Sequence, residues 1–138
     1  MIILDTNVLS AVMRQTPEKH VVAWLDQQPR TSVWTTSVTV LEIGFGLQIM
    51  PLGKRRALLI ESFDALLDKI GQRVAPFDAD AAQYAANLMA ARQKKGRPGD
   101  LRDTMIAGIV LAHHATLATR NVAHFADLSV PVVNPWVS

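Results

Sequence analysis

The first seven residues, M-I-I-L-D-T-N at positions 1–7, decide the fold of this chain. Four apolar residues followed by a polar Asp-Thr-Asn turn indicate a short buried strand, Met1–Leu4, which ends at Asp5. Short strands of this kind alternate with helical patterns along the rest of the chain. That alternation predicts a parallel sheet covered by helices on both faces, with ligands bound at the carboxyl ends of the strands.

Four further strands are predicted from short apolar or β-branched stretches. They cover Ser32–Thr36, Arg73–Ala75, Thr116–Thr119 and Val130–Val133, and Pro131 favours an edge position for the last. Helices are predicted over about 7–13, 17–28, 37–49, 54–70, 79–95 and 101–113. The predicted cap of the first helix is Thr6 or Asn7, and that of the second is Thr16. Ser37 is the predicted cap of the third helix, and Asp78 or Asp80 that of the fifth.

These elements predict an α/β fold with a central parallel sheet of about four to five short strands flanked by helices. We expect one domain over residues 1–138, because no repeat, low-complexity tract or linker interrupts the pattern. Of the 138 residues, 49% are apolar and 19% are charged, which is typical of a packed globular protein and excludes disorder.

The composition excludes several classes of protein. The chain has no cysteine, which excludes a disulfide scaffold, a thiolate metal site and a cysteine nucleophile, and which fits a reducing cytoplasm. No apolar run approaches the ~18 residues of a membrane span, and the N-terminus lacks the basic start of a signal peptide. We therefore expect a cytoplasmic protein without a membrane partner. The formal net charge of +2 is too small to argue for nucleic acid by itself.

Three acidic residues interrupt apolar segments that lie far apart in the sequence. Asp5 ends the first strand, Glu42 lies within the apolar helix 37–49, and Asp103 opens the apolar stretch 104–112. Burying an unpaired carboxylate costs several kcal/mol, so three such interruptions suggest one shared cationic partner. The simplest partner is Mg²⁺ or Mn²⁺, which prefer oxygen ligands. Such an ion suits phosphodiester chemistry.

Each acid also has a purely structural interpretation. Asp5 has the sequence context of a turn or helix cap, Glu42 has that of an ion pair with a nearby arginine, and Asp103 has that of the cap of its own helix. Asp100 lies one turn before Asp103 and is the better candidate for that cap. Thr6 and Asn7 follow Asp5 and are candidates for supporting the site through hydrogen bonds.

Basic residues form two clusters that have the composition of a phosphate-binding surface. The first is Lys54, Arg55 and Arg56. The second contains Arg92, Lys94, Lys95, Arg97 and Arg102 and leads directly into the Asp103 segment. The alternative is a set of solvated helix ends, since basic residues also favour helix C-termini.

Other catalytic chemistries lack their motifs. The four histidines show no zinc-ligand spacing, and neither a phosphate-binding glycine loop nor a serine-hydrolase elbow is present. A strand that ends in aspartate is also found in aspartyl phosphatases. Those enzymes need a second aspartate two positions later, where this chain has Asn7.

Four ordered motifs resemble those of the PIN-domain ribonucleases, in particular the VapC/FitB branch of bacterial toxins. They are M-I-I-L-D-T-N-V-L-S at the start, V-T-V-L-E-I-G-F-G around Glu42, R-D-T-M-I-A-G-I-V-L-A around Asp103, and L-A-T-R-N-V-A-H-F followed by V-V-N-P-W near the end. The resemblance implies a PIN fold, RNA as substrate, and hydrolysis that depends on Mg²⁺ or Mn²⁺. It further implies a cognate antitoxin, operator DNA bound only through that antitoxin, and a homodimer.

Carried over by position, the resemblance makes Asp5, Glu42 and Asp103 the core acids that hold metal and drive catalysis. Thr119 and Arg120 match the pair that precedes the family's fourth acid, and this chain has Asn121 in place of that acid. An asparagine brings no charge, so the resemblance leaves open whether one or two ions bind.

The sequence therefore predicts a toxin endoribonuclease, with RNA attracted by Lys54, Arg55, Arg56, Lys94, Lys95 and Arg97. One alternative is a PIN-fold binding module that acts mainly through an antitoxin and operator DNA. The other is an aspartyl phosphatase with Asp5 as its nucleophile.

Overall fold

Five short strands form one parallel sheet at the centre of the molecule. The computed structural model describes residues 1–137, and the last residue of the predicted domain, Ser138, lies outside them. The strands run in the order β3-β2-β1-β4-β5, and all four pairings are parallel. Their ranges are β1 Ile2–Leu4, β2 Val33–Thr36, β3 Val74–Ala75, β4 Thr116–Ala118 and β5 Val132–Val133. The predicted parallel sheet and the edge position of the last strand are confirmed.

Six helices cover the sheet, close to their predicted positions. They are α1 Thr6–Met13, α2 Lys19–Asp26, α3 Ser37–Ile49, α4 Lys54–Ile70, α5 Ala79–Lys94 and α6 Leu101–Ala112. Single turns of 3₁₀ helix occur at Arg30–Ser32 and Val122–Phe125. Among residues 1–137, no helix is both long and apolar enough to cross a membrane.

The sheet separates two apolar cores, as expected of a parallel sheet buried on both faces. Successive residues of a strand point to opposite faces, so Ile3 contributes to one core and Leu4 to the other. The core on the Ile3 side includes Ile106 and Val110 of α6. The core on the Leu4 side includes Leu9 of α1 together with residues of α3 and α4.

The caps of α1 and α3 precede the residues predicted from the helix patterns, for one reason, and the alternative interpretation of Asp5 as a helix cap is confirmed. The cap of α1 is Asp5, whose carboxylate accepts from the Thr6 amide at 2.8 Å, and the cap of α3 is Thr36, whose hydroxyl accepts from the Thr39 amide at 3.0 Å. Each is the polar residue that closes a strand, where the backbone is already extended as a cap requires. Ser37 instead accepts a hydrogen bond from the Phe77 amide at 3.0 Å.

The predicted start of α2 at Pro17, with Thr16 as cap, is also wrong, because the helix begins at Lys19 with Glu18 in the cap position. The Glu18 amide donates to the carbonyl of Ala11 at 3.3 Å. This bond holds the segment between α1 and α2 against the end of α1. The backbone therefore forms a turn up to Glu18, and α2 begins after it. Asp78 caps α5 as predicted, accepting from the Ala81 amide at 3.0 Å.

Gly108 lets α5 and α6 pack closely, and replacing it should destabilise the fold. A Cβ at this position would lie 2.5 Å from the carbonyl oxygen of Ala81 and 2.8 Å from the Cβ of Ala85. We expect Gly108→Ala to lower the free energy of unfolding by about 1–3 kcal/mol. Gly46→Ala is the matched control, because a Cβ there meets nothing within 4 Å, and it should raise stability by up to about 1 kcal/mol. Urea unfolding of both variants is the measurement, and equal midpoints would contradict the packing argument.

Candidate metal centre

Asp5 is a buried carboxylate at the carboxyl end of β1, and its side chain is held from three directions. The residue is 3% exposed. Its Oδ1 accepts from the Thr6 amide at 2.8 Å, and its Oδ2 accepts from the Thr119 hydroxyl at 2.7 Å and from the Asn7 side-chain amide at 3.2 Å. Thr119 directly follows β4, which pairs with β1, so neighbouring strand ends supply the contacts. The carboxylate is therefore fixed in position at the edge of the sheet.

Glu42 reaches the same edge from α3. Its Oε1 accepts from the hydroxyl of Thr6 at 2.8 Å, which links the helix to the residue next to Asp5. The Thr6 hydroxyl also lies 3.1 Å from that of Thr39, one turn earlier on α3. On the other side, Oε2 of Glu42 lies 3.8 Å from Nε of Arg102. The arginine partner suggested as an alternative for Glu42 is thus present, although its contact is long and its side chain is half exposed.

Asp103 lies in the first turn of α6, but it does not cap that helix. The cap is Asp100, whose Oδ1 accepts from the Asp103 amide at 3.1 Å. The Asp103 carboxylate is therefore not needed to cap the start of α6. Its Oδ2 lies 3.5 Å from Nδ1 of His124, in the 3₁₀ turn that follows β4.

The electrostatics of the acids show that they are close enough to affect one another. Burial raises the pKa of Asp5, and the charge of Asp103 raises it further, while hydrogen bonds from Thr119, Thr6 and Asn7 oppose the rise. Burial also raises the pKa of Asp103, and the charges of Asp100 and Glu42 add to that rise while His124 opposes it. Carboxylates whose pKa values are raised by burial and by neighbouring acids favour a nearby cation.

The residues present fit a hydrated divalent ion better than a closed cage. Within residues 1–137, no group of three His, Cys, Asp or Glu side chains is arranged to hold an ion directly. Mg²⁺ does not need such a cage, because it is commonly held by one or two carboxylates together with waters and substrate phosphate. Asp5, Glu42 and Asp103 supply oxygen ligands and negative charge of that kind, and no nitrogen or sulfur ligand is required.

The residues predicted to support the site form one hydrogen-bond network at the ends of β1 and β4. Besides donating to Asp5, the Thr119 hydroxyl accepts from the Asn121 amide at 3.0 Å. Asn7 accepts from the Arg120 amide at 3.1 Å through its Oδ1. Arg120 is exposed, and its guanidinium lies 5.1 Å from the centroid of the Trp136 ring. The backbones of Arg120 and Asn121 are therefore fixed beside Asp5, while both side chains are exposed to solvent.

The predicted basic residues have different roles. Arg56 donates to the carbonyl of Leu47 at 2.9 Å and to the side chain of Gln48 at 3.0 Å, so it closes the end of α3. Lys54 and Arg55 are exposed at the start of α4. The other three predicted contacts, all exposed at or just beyond the end of α5, are Lys94, Lys95 and Arg97.

Arg92 does not belong to a solvated basic surface, contrary to expectation. Its side chain is buried and forms a two-pronged ion pair with Asp127, at 2.8 and 2.9 Å. The hydrogen bond from Arg92 holds the pKa of Asp127 below its usual range. Asp127 is 35 residues from Arg92 in sequence, so no local signal identifies this pair.

Two further neighbours of the acids, Arg102 and His124, were missed as site residues. His124 stands in the closing motif L-A-T-R-N-V-A-H-F, and its position in that motif was the available signal. Arg102 was counted only as part of a basic cluster, although its place next to Asp103 puts it on the helix that carries that acid. Both contacts join segments that are distant in sequence.

Thr119 should matter to stability in a way that depends on pH. Thr119→Val removes a donor from buried Asp5, so the pKa of Asp5 rises further and the metal-free protein should lose about 1–3 kcal/mol at neutral pH. That loss is present above the raised pKa of Asp5 and shrinks as pH falls through it, because the protonated acid no longer needs the donor. Denaturant unfolding with a chelator, at neutral and mildly acidic pH, is the measurement.

Thr35→Val is the matched control for Thr119→Val. Thr35 is also fully buried, and its hydroxyl has no hydrogen-bond partner among the described residues. Its replacement should change stability by less than about 0.5 kcal/mol or increase it, at any pH. A pH-independent loss of the same size in both variants would contradict the role given to Thr119.

Curated relatives match this chain over nearly its whole length. It is 37% identical over 137 residues to the VapC ribonuclease Y4jK of Sinorhizobium fredii, covering 99% of this chain and 98% of the relative. It is 34% identical over 137 residues to Toxin FitB of Neisseria gonorrhoeae, covering 99% of each.

Solved structures agree with the sequence matches. The structure of FitAcB from Neisseria gonorrhoeae superposes with a TM-score of 0.91 at 34% identity and covers 100% of both chains. FitAB bound to an IR36 DNA fragment superposes with a TM-score of 0.90 at the same 34% identity, covering 100% of this chain and 97% of that one. The model of the PIN domain family matches residues 2–130. With a matching fold, a matching family model and relatives of this identity, the chain belongs to the PIN domain family.

Proposed function

We propose that this protein is the toxin of a toxin–antitoxin pair and that it hydrolyses RNA phosphodiester bonds with Mg²⁺ or Mn²⁺. The observation that carries the proposal is the buried Asp5 carboxylate at the carboxyl edge of the sheet, with Glu42 linked to it through Thr6 and Asp103 near enough for its charge to raise the pKa of Asp5. Two full-length relatives, a VapC ribonuclease and a FitB toxin, support it. Because RNA is the substrate, we also propose that the protein acts in the cytoplasm.

In this proposal, Asp5 and Asp103 hold the ion with support from Glu42. Burial and neighbouring acids raise the pKa of Asp5 and of Asp103, and a bound ion would stabilise their charged forms, polarise a phosphoryl oxygen and make a bound water more acidic. Thr6 orients Glu42, while Thr119 and Asn7 orient Asp5, so the ligand oxygens keep their positions before substrate arrives.

Exposed cations would position the RNA backbone. Arg102 lies beside Glu42 and its side chain is half exposed, so it is placed to contact a phosphate near the acids. Lys54, Arg55, Lys94, Lys95 and Arg97 remain exposed and free to attract the backbone, whereas Arg56 is engaged in closing α3. We therefore give Arg56 only a secondary part in RNA binding.

The proposed protein partners are inferred from an exposed apolar surface and from the family to which the chain belongs. Leu41, Phe45 and Ile49 lie one turn apart on α3 and are 60%, 57% and 66% exposed, although large apolar side chains are rarely exposed as a group. We propose that this stripe joins two copies of the chain, and that a cognate antitoxin binds the dimer and carries it to operator DNA. The FitAB complex bound to DNA supports the last point.

The two rival functions are less well supported. An aspartyl phosphatase needs a second aspartate two positions after the strand-end aspartate, but this chain has Asn7 there, and the Asn7 side-chain amide donates to Asp5. A binding module without activity would not need buried carboxylates such as Asp5 and Asp103, whose pKa values are raised by burial and by neighbouring acids. Metal-dependent cleavage of RNA, which is abolished by a chelator while the fold is retained, separates the proposed enzyme from both.

Asp103→Asn should abolish cleavage and leave the fold intact. Loss of partners that merely orient metal ligands costs roughly 10- to 100-fold, so loss of a ligand should lower the rate on total RNA by at least about 100-fold. The metal-free variant should be more stable than the wild type above the raised pKa of Asp103, because a repelled carboxylate has been removed. Asp64→Asn, on the exposed side of α4, is the matched control and should cleave normally. Wild-type rates in Asp103→Asn would remove this residue from the mechanism.

Asn121→Asp should strengthen metal binding by restoring the acid that the family often has at this position. The added charge should tighten Mn²⁺ binding on the order of tenfold, which corresponds to ~1.4 kcal/mol. Asn87→Asp adds the same charge to an exposed site on α5 and should leave the affinity unchanged. Calorimetric titration of the metal into both variants is the test. Unchanged affinity in Asn121→Asp would place position 121 outside the reach of the ion.

A further inference from the structure

A cavity of about 360 Å³ opens beside Asp103, and the proposed function gives parts to some of its lining residues but no occupant to the cavity itself. The Asp103 and His124 side chains line it together with Lys95, Arg97 and Ala126. It therefore lies between the connection from α5 to α6 and the 3₁₀ turn that follows β4. Its contact with Asp103 makes it continuous with the acidic centre.

The buried Arg92 side chain makes this cavity a built feature of the fold. Besides its ion pair with Asp127, Arg92 donates to the hydroxyl of Thr104 and to the carbonyl of His124, each at 3.0 Å. One guanidinium thus joins α5, the first turn of α6 and the turn that carries His124. A charged group that is 6% exposed and satisfied on every side holds its neighbours in place. The walls of the cavity are therefore fixed relative to Asp103.

The cavity has the size and chemistry of a site for one nucleotide. Small-molecule sites usually enclose about 300–1,000 Å³, and this cavity falls at the lower end of that range. Single-stranded RNA is recognised through bases that leave the stack and lie against histidine or arginine side chains. His124 and Ala126 offer a ring and a small apolar contact, and Lys95 and Arg97 offer charges for a phosphate.

The balance of charge links the cavity to the metal centre. Arg92 and Asp127 neutralise each other, which leaves Lys95 and Arg97 against Asp100 and Asp103. The free cavity is therefore close to neutral, and a divalent ion at Asp103 would make it positive by about two charges. A phosphate should bind well only after that change.

We propose that this cavity binds the ribonucleotide that adjoins the scissile phosphate, and so selects where the RNA is cut. This inference rests on the proposed ribonuclease function. The base would lie between His124 and Ala126, and its phosphate would face Lys95 and Arg97. Selection by shape and stacking at one neighbouring position gives a preferred cleavage site without a long recognition sequence.

The direct test is binding of the four 3′-nucleoside monophosphates to the whole protein, followed through backbone amide NMR signals. With Mg²⁺ present, at least one nucleotide should give saturable shifts at Ala126 and His124, and a chelator should weaken them. Ala126→Trp should reduce the affinity about tenfold or more, because the indole occupies the volume that the base needs. Ala65→Trp, on the exposed side of α4, is the matched control and should bind as the wild type does.

A second variant keeps the test informative if Ala126→Trp folds poorly. Arg97→Gln should weaken nucleotide binding roughly threefold, and more at low salt. Arg30→Gln is the matched control. Arg30 lies just before β2, at the amino ends of the strands, and its replacement should have no effect. Absence of saturable shifts in the wild type, or equal affinity in Ala126→Trp and Ala65→Trp, would overturn the proposal.

Mapping of cut sites on RNA separates this proposal from the one on which it rests. If the wild type binds nucleotides at the cavity but cleaves no RNA, the ribonuclease function fails and the binding site stands. If the wild type cleaves RNA and a folded Ala126→Trp cuts at the same positions with the same rates, the cavity has no part in selection. A changed pattern of cuts in Ala126→Trp, with unchanged Mn²⁺ affinity, is the expected result.

Discussion

Burial of the Asp5 carboxylate at the end of β1 is the constraint on which the rest of the structure depends. A charge that is 3% exposed needs donors, and they come from Thr6 on the same turn, Asn7 on α1 and Thr119 beyond β4. Thr6 and Asn7 are neighbours of Asp5 in sequence, whereas Thr119 lies within reach only because β1 and β4 are parallel neighbours whose carboxyl ends coincide. The order of the strands therefore determines which donors stabilise the Asp5 carboxylate.

In the metal-free protein, the same arrangement makes the charged forms of the buried acids unfavourable. Asp5 and Asp103 have raised pKa values because burial and neighbouring acids disfavour their charged forms. The hydrogen bonds to Asp5 offset part of that cost, and a divalent ion would offset more. Stability and metal binding are then coupled, since an ion that binds only the folded state stabilises it.

The basic residues divide between structure and binding according to what lies within their reach. Arg92 and Arg56 each find carbonyl or carboxylate partners in the fold and are used to hold elements together. Lys95 and Arg97 lie just beyond the end of α5, where no such partner confines them, and they face the cavity beside Asp103. Basic residues that lie close together in the sequence, such as Arg92 and Lys95, thus have different functions.

The sequence by itself determined the strands and most of the helix bounds, and it singled out the three acids that we propose as the metal centre. These follow from local patterns: apolar runs, the spacing of apolar residues in helices, and carboxylates that interrupt them. Only the tertiary structure decided that Thr36 caps α3 in place of Ser37, because a strand end becomes a cap only when the next helix folds back on the sheet. It alone also decided the pairs Arg92–Asp127, Arg102–Glu42 and His124–Asp103. Each of these contacts joins segments far apart along the chain, and no local periodicity records which distant side chain will lie within hydrogen-bonding distance.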